Sequence, residues 1–194
     1  MADPYVYPGT YVLKNKFDLR DEEALREAEY RATARRAAEL ERKPIKGNFD
    51  MKHLQAYHKH LFQDVYQWAG KSRTIGISKG DTFAAVEYLD SFMKDIHKRL
   101  EKDNFLRGLE KKEFVSKFTE VYGDINALHP FREGNGRSTR EFMKQLAYEA
   151  GYKLDIDIIS RDRNRWNEAS HLSFHGRMEE LRAIFAAAIS LLQA

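Results

Sequence analysis

Residues 129–140, HPFREGNGRSTR, gather in one run a histidine, a carboxylate, a glycine–asparagine–glycine triplet and two arginines three positions apart. These types suit phosphate chemistry. Backbone N–H groups at the mouth of a helix carry unpaired positive charge, and flanking glycines let an anion approach closely, so Gly134, Asn135 and Gly136 can form an anion nest. Arg137 and Arg140 fall within one helical turn, from which both guanidiniums can reach a single polyphosphate. Glu133 offers a hard oxygen ligand suited to Mg²⁺, and His129, across the loop, is placed to accept a proton from an incoming hydroxyl. Taken singly, each has an ordinary explanation: a capping histidine, a solvated pair of arginines, a tight turn. Their coincidence in one loop favours phosphoryl-type transfer, where positioning and charge neutralisation supply most of the catalysis.

Two helices must hold this run. Phe114, Phe118, Val121, Ile125 and Leu128 recur at three- and four-residue steps, which predicts an amphipathic helix over 111–128. Pro130 cannot continue it and forces His129 out of helical geometry. Phe142, Met143, Leu146 and Ala147 restore the period until Gly151, so a second helix begins near 135–137.

Composition sets the frame. A chain of 194 residues suits one domain spanning 1–194, large enough to bury roughly 70% of its unfolded surface. Lysine and arginine exceed aspartate and glutamate by only three and are interspersed, so no nucleic-acid-binding stripe stands out. Without cysteine no disulfide framework is available, and a reducing compartment is permitted. The N-terminus has no apolar signal core and no apolar run approaches membrane-spanning length. A soluble chain in a bacterial cytoplasm is expected, with delivery into a host cell by a signal-independent secretion system as the second setting.

The run at 129–140 resembles the signature of the Fic family, His-x-Phe-x-Asp/Glu-Gly-Asn-Gly-Arg-x-x-Arg, without departure at any specified position. The stretch FQDVYQWAG, 62–70, is similar to the segment preceding the flap in that family. The resemblance implies an all-α Fic fold, a helical bundle with one short β-hairpin flap over the site. It also implies transfer of AMP from ATP onto a Tyr, Thr or Ser hydroxyl of a target protein. Carried over, His129 is the base, Phe131 anchors the loop, Glu133 holds Mg²⁺, and Gly134, Asn135 and Gly136 grip the α- and β-phosphates while Arg137 and Arg140 neutralise the outer ones. Thr82 and Phe83 of the flap border the nucleotide, and Thr82, Phe83 and Ala84 pair with an extended segment of the target.

In chain order, 1–17 reads as an extended arm whose tyrosines are packing groups first and automodification acceptors second. A charged helix follows over 21–40, then one capped by Asp50 and running to about Tyr66. His53, His58 and His60 in it read as helical or surface histidines. The flap occupies 71–86: an alternating strand at 73–78, a turn at Lys79-Gly80-Asp81 and a return from Thr82. Helices are predicted over 87–103, near 161–172 and over 177–192. Trp166 and Asn167 are candidates for nucleoside contacts, with core packing an equal explanation for the tryptophan; His171 and His175 are structural.

An inhibitory Ser/Thr-x-x-x-Glu-Gly/Asn helix is missing: Thr33 is followed by Ala37 and Ser170 by Phe174. The resemblance then points to the subclass silenced by a small separate antitoxin whose glutamate meets Arg140. Targets in that subclass favour a type II topoisomerase subunit, with a small GTPase second. The rivals are the same fold with another donor (UTP, GTP or CDP-choline) or run in reverse, and a non-catalytic module that binds nucleotide or antitoxin.

Overall fold

The computed structural model describes residues 3–192, and at positions 79 and 81 the backbone alone. Helix α1 (Glu22–Arg42) starts where the Asp21 carboxylate accepts the Ala24 N–H, and buries Leu25, Glu29, Thr33 and Leu40 along one stripe. Helix α2 (Met51–Phe62) is capped in the same way by Asp50 and buries both apolar residues and two histidines, His53 and His58. The short strands β1 (Ser78–Lys79) and β2 (Asp81–Thr82) pair antiparallel around Gly80. Then come α3 (Leu89–Lys102), α4 (Lys111–Leu128) and α5 (Asn135–Glu149). Strand β3 (Tyr152–Leu154), three shorter helices, α6 (Ile156–Arg161), α7 (Arg163–Ser173) and α8 (Glu179–Ala188), and strand β4 (Ile189–Leu191) complete the described chain.

Helix α4 is the axis of the bundle. It touches α3, α5, α7 and α8, which is why its buried positions (Phe114, Val115, Phe118, Thr119, Val121, Tyr122, Gly123, Ile125 and Leu128) spread well beyond one stripe. Gly123 gives room to α8's approach, since a Cβ there would meet the Met178 methyl at 2.6 Å and oblige that flexible side chain to shift. Beside it α5 packs on α2, with Phe142 edge-on to Phe49 at 5.4 Å and near His53 and Tyr57. None of the helices among the described residues is long and apolar enough to cross a membrane.

The all-α class with a short hairpin holds, and α4 has the expected bounds. Four local expectations are corrected. Helix α2 stops at Phe62, not near Tyr66, because Val65 and Tyr66 both turn their N–H groups back to Phe62 O. The flap pairs only Ser78–Lys79 with Asp81–Thr82, since Arg73, at the start of the expected strand, is drawn into the interior. The last helix ends at Ala188, not Leu192: Ile189–Leu191 pairs antiparallel with Tyr152–Leu154, a second two-stranded unit where the apolar 189–191 segment meets its partner only in three dimensions. His53 and His58 are buried rather than superficial. Of the arm, residues 1 and 2 lie outside the described residues; the remainder is not extended but doubles back through a turn at 8–9, pairing Val6 antiparallel with Leu13 because the Tyr7 and Lys14 N–H groups find carbonyls of the facing segment.

Phe142→Ala should remove the ring that joins α5 to α2 and cost about 3–5 kcal/mol of unfolding free energy, read as a lower urea midpoint with an unchanged slope.

Candidate active site

The site is made where α4 ends and α5 begins. His129 adopts the left-handed conformation, φ 43° and ψ 61°, a strained choice for a non-glycine residue that histidine tolerates better than most. Pro130 excludes the right-handed helix at that position, and two hydrogen bonds hold the alternative: His129 N–H to Ile125 O at 3.1 Å, and ring Nδ1–H to Asn126 O at 3.1 Å. With its proton on Nδ1, the imidazole carries its lone pair on Nε2. Phe83 lies flat on the ring, centroids 3.7 Å apart.

The following loop is fastened from inside. Phe131 is fully buried and stacks on His58 at 3.9 Å. The Asn135 carboxamide closes the loop on itself, Oδ1 accepting Phe131 N–H at 2.8 Å and Nδ2 donating to Phe131 O at 2.7 Å. His58 Nδ1 accepts the Gly70 N–H at 2.8 Å, so its Nε2–H donates to Glu133 O at 3.0 Å. Burial pushes this imidazole down to about 4, which keeps it neutral and in the tautomer both bonds demand. Gly134 has φ +82°, and a Cβ there would strike the Phe62 ring at 2.3 Å. No other residue fits.

Helix α5 therefore opens with a glycine that cannot cap it. Ser138 is the first to find a main-chain carbonyl, Gly134 O at 3.1 Å, leaving the N–H groups of Asn135, Gly136 and Arg137 ahead of the ladder. Gly136 is exposed, with open space where a side chain would be. In front lies a cavity of about 420 Å³ bordered by His129, Glu133, Asn135 and Gly136, roofed by Ile75–Ser78 and Phe83, and walled by Tyr122, Asn126, Trp166 and Ser170. Its polar rim includes Arg132, which holds Asp3 of the arm at 2.7 Å. The geometry brings an imidazole and the uncapped amides of α5 to the lining of one chamber.

His129, Glu133, Asn135, Gly136 and Phe83 thus meet, and Trp166 and Asn167 join them. The rest depart from expectation. Arg137 does not converge with Arg140 on this chamber. Its guanidinium sits 4.6 Å over Phe62 and donates to Glu29 Oε1 at 2.5 Å, with Glu133 at 3.7 Å. Glu29 in turn accepts from the Tyr66 hydroxyl, whose pKa burial and that carboxylate push upward. Arg137 and Arg140 border a smaller cavity of about 160 Å³ beside α1, with Tyr30, Thr33 and Leu61. Asn135 has its side chain committed to the loop, so only its N–H faces a ligand. Thr82 is exposed and away from the chamber wall, and Ala84 cannot pair with a docking strand, because its N–H is held by Ala127 O at 3.0 Å and its carbonyl by Arg73.

His58, Arg73, Glu29, Arg132 and Asp3 were not anticipated. A signal existed for two. His58 stands four residues after Leu54 and three before Leu61, on the buried face of α2, and Glu29 stands four after Leu25 on that of α1. A histidine neutral in the fold but ordinarily near 6.5 when unfolded leaves the unfolded state with more protons between those values. His58 therefore makes stability fall as pH drops from 6.5 toward about 4, by on the order of 3 kcal/mol. His58→Gln should flatten that decline, measured as urea midpoints at pH 7 and 4.5.

The Fic/DOC family model matches residues 48–147. The probable protein adenylyltransferase Fic of Escherichia coli K12 is 38% identical over 189 residues, covering 97% of this chain and 92% of that protein. Protein adenylyltransferase VbhT of Bartonella schoenbuchensis is 41% identical over 183 residues, 94% of this chain but 38% of VbhT, of which the chain therefore spans a minor part. The crystal structure of BepC, a VirB-translocated effector protein of Bartonella tribocorum with bound AMPPNP, is similar with a TM-score of 0.89 at 27% identity, covering 97% of each chain. With the signature loop built as described and such relatives along nearly its whole length, the chain belongs to the Fic/DOC family.

Proposed function

We propose that this chain is a protein adenylyltransferase that moves AMP from ATP onto a hydroxyl of another protein. The observation that carries it is the single chamber in which the His129 ring, with Nδ1 protonated, faces the uncapped N-terminus of α5. Relatives named protein adenylyltransferase and the AMPPNP bound in BepC support the same reading.

The acceptor hydroxyl gives its proton to His129 Nε2 as its oxygen attacks the α-phosphorus. The bond to the bridging oxygen of the β-phosphate breaks in line, and pyrophosphate leaves with the electron pair. Charge growing on the phosphoryl oxygens falls on the N–H groups of Asn135, Gly136 and Arg137, fixed before reaction and so needing no reorganisation. The Asn126 carbonyl keeps the imidazolium oriented through Nδ1–H. Glu133 fits a Mg²⁺ held through one carboxylate plus substrate phosphates: its Oε1 accepts the Gly134 N–H at 2.8 Å, which aims the carboxyl at the helix mouth. That ion would neutralise phosphate charge.

Arg140 has no ion-pair partner among the described residues, and it borders the small cavity between α1 and α5. In this reading it receives either the outer phosphate or the glutamate of a separate antitoxin helix lying against Tyr30, Ala34 and Leu61, which is how the chain is held inactive. The target is a type II topoisomerase subunit in preference to a small GTPase, since the paired flap is short, 78–82.

ATP labelled at the α-phosphate, incubated with the chain in bacterial and in host-cell lysates, should mark one protein, identified by mass spectrometry. UTP, GTP and CDP-choline run in parallel test the donor. His129→Ala should lower labelling at least about 10³-fold while melting and AMPPNP binding stay unchanged; label persisting in that variant excludes the base role.

A further inference from the structure

Arg73 is among the largest side chains in the protein that are wholly buried, at 2% exposure, and no carboxylate pairs with it among the described residues. Its donors go to main-chain carbonyls: Nε to His129 O at 2.8 Å, Nη1 to Ile75 O at 2.9 Å, and Nη2 to Ala84 O and, at 3.5 Å, toward Leu128 O. Its own N–H donates to Pro130 O at 2.8 Å. A buried guanidinium without a counter-ion is costly unless something supplies negative potential. Here the C-terminal carbonyls of an 18-residue helix do so.

Six consecutive carbonyls at that helix end are accounted for. Ile125 O takes His129 N–H, Asn126 O takes the His129 ring, Ala127 O takes Ala84 N–H, and Leu128, His129 and Pro130 are served by Arg73. These six donors come from three residues, the base His129, Ala84 at the flap exit and Arg73, and Arg73 also holds both flanks of the flap, through Ile75 ahead of β1 and Ala84 after β2. Phe83, next to Ala84, lies on the His129 ring.

We infer that Arg73 is a positioning residue that locks the flap and His129 into one rigid unit, so that an acceptor strand docked on the flap is registered against the base through a single side chain. This rests on His129 as base and the flap as docking edge. The planar fork of five donors is what the role demands; a lysine ammonium, a point charge with three donors, cannot reach His129, Ile75 and Ala84 at once.

The test is amide exchange by NMR on the full chain, which needs no acceptor. Arg73→Lys should raise exchange at Ala84 and at His129 together, by about tenfold or more for a loss near 1.4 kcal/mol, with helix 89–102 unchanged and AMPPNP affinity within about threefold by calorimetry. Loosening at one of the two amides without the other, or at neither, overturns the coupling. Should Arg73→Lys not fold, Ala84→Pro deletes the donor to Ala127 O from the flap side and should still speed exchange at His129, 45 residues away in sequence; an unaltered His129 amide there also overturns it. Once an acceptor is labelled, Arg73→Lys should lower kcat with the KM for ATP unmoved. Loss of labelling already in the parent chain would count against the transferase reading and leave the exchange result standing.

Discussion

The contact on which the site depends is the stack of Phe131 on His58 inside the core. A loop that must show a histidine, a carboxylate and bare amides to solvent has few apolar groups with which to hold itself, and Phe131 supplies that grip, fully buried at 3.9 Å from His58. Burying it draws Phe131's own N–H and carbonyl out of water, and Asn135 answers both. His58 answers Glu133 O from the other side. The consequence for chemistry is geometric: with Asn135 turned inward and Gly134 unable to cap, the mouth of α5 stays uncapped.

Two helix ends thereby face each other with opposite treatment. The negative end of α4 is closed, its carbonyls taken by His129, Ala84 and the buried cation Arg73. The positive end of α5 is left open. A macrodipole satisfied at one end and exposed at the other makes a chamber that prefers an anion beside the His129 ring, which is what transfer of a nucleotidyl group requires. The strain of His129 in the left-handed region is sustained because the surrounding bonds over-determine it.

Helix α1 adds a constraint of a different kind. Glu29, buried and fixed by Tyr66, takes Arg137 away from the chamber and sets it over Phe62. Two arginines of identical type, three residues apart, so acquire different duties: one braces the loop against α1, and the other has no ion pair among the described residues. Helical spacing put both within reach of one polyphosphate; only the position of α1 separates them.

Much was legible in the residue order. The 3.6-residue period of Phe114, Phe118, Val121, Ile125 and Leu128 defines α4, Asp50 announces α2, and Pro130 and Gly134 require a break between two helices, because these are local steric and capping rules that need no partner. The run 129–140 likewise carries its chemistry in its order. Tertiary structure alone decided that Ile189–Leu191 becomes a strand, that Asn135 faces the loop, that Arg137 pairs with Glu29 108 positions away, and that Arg73 leaves the flap for the end of α4. Each of these turns on which polar group reaches a buried partner first, and that contest is settled by distances between segments remote in sequence, which no local periodicity encodes.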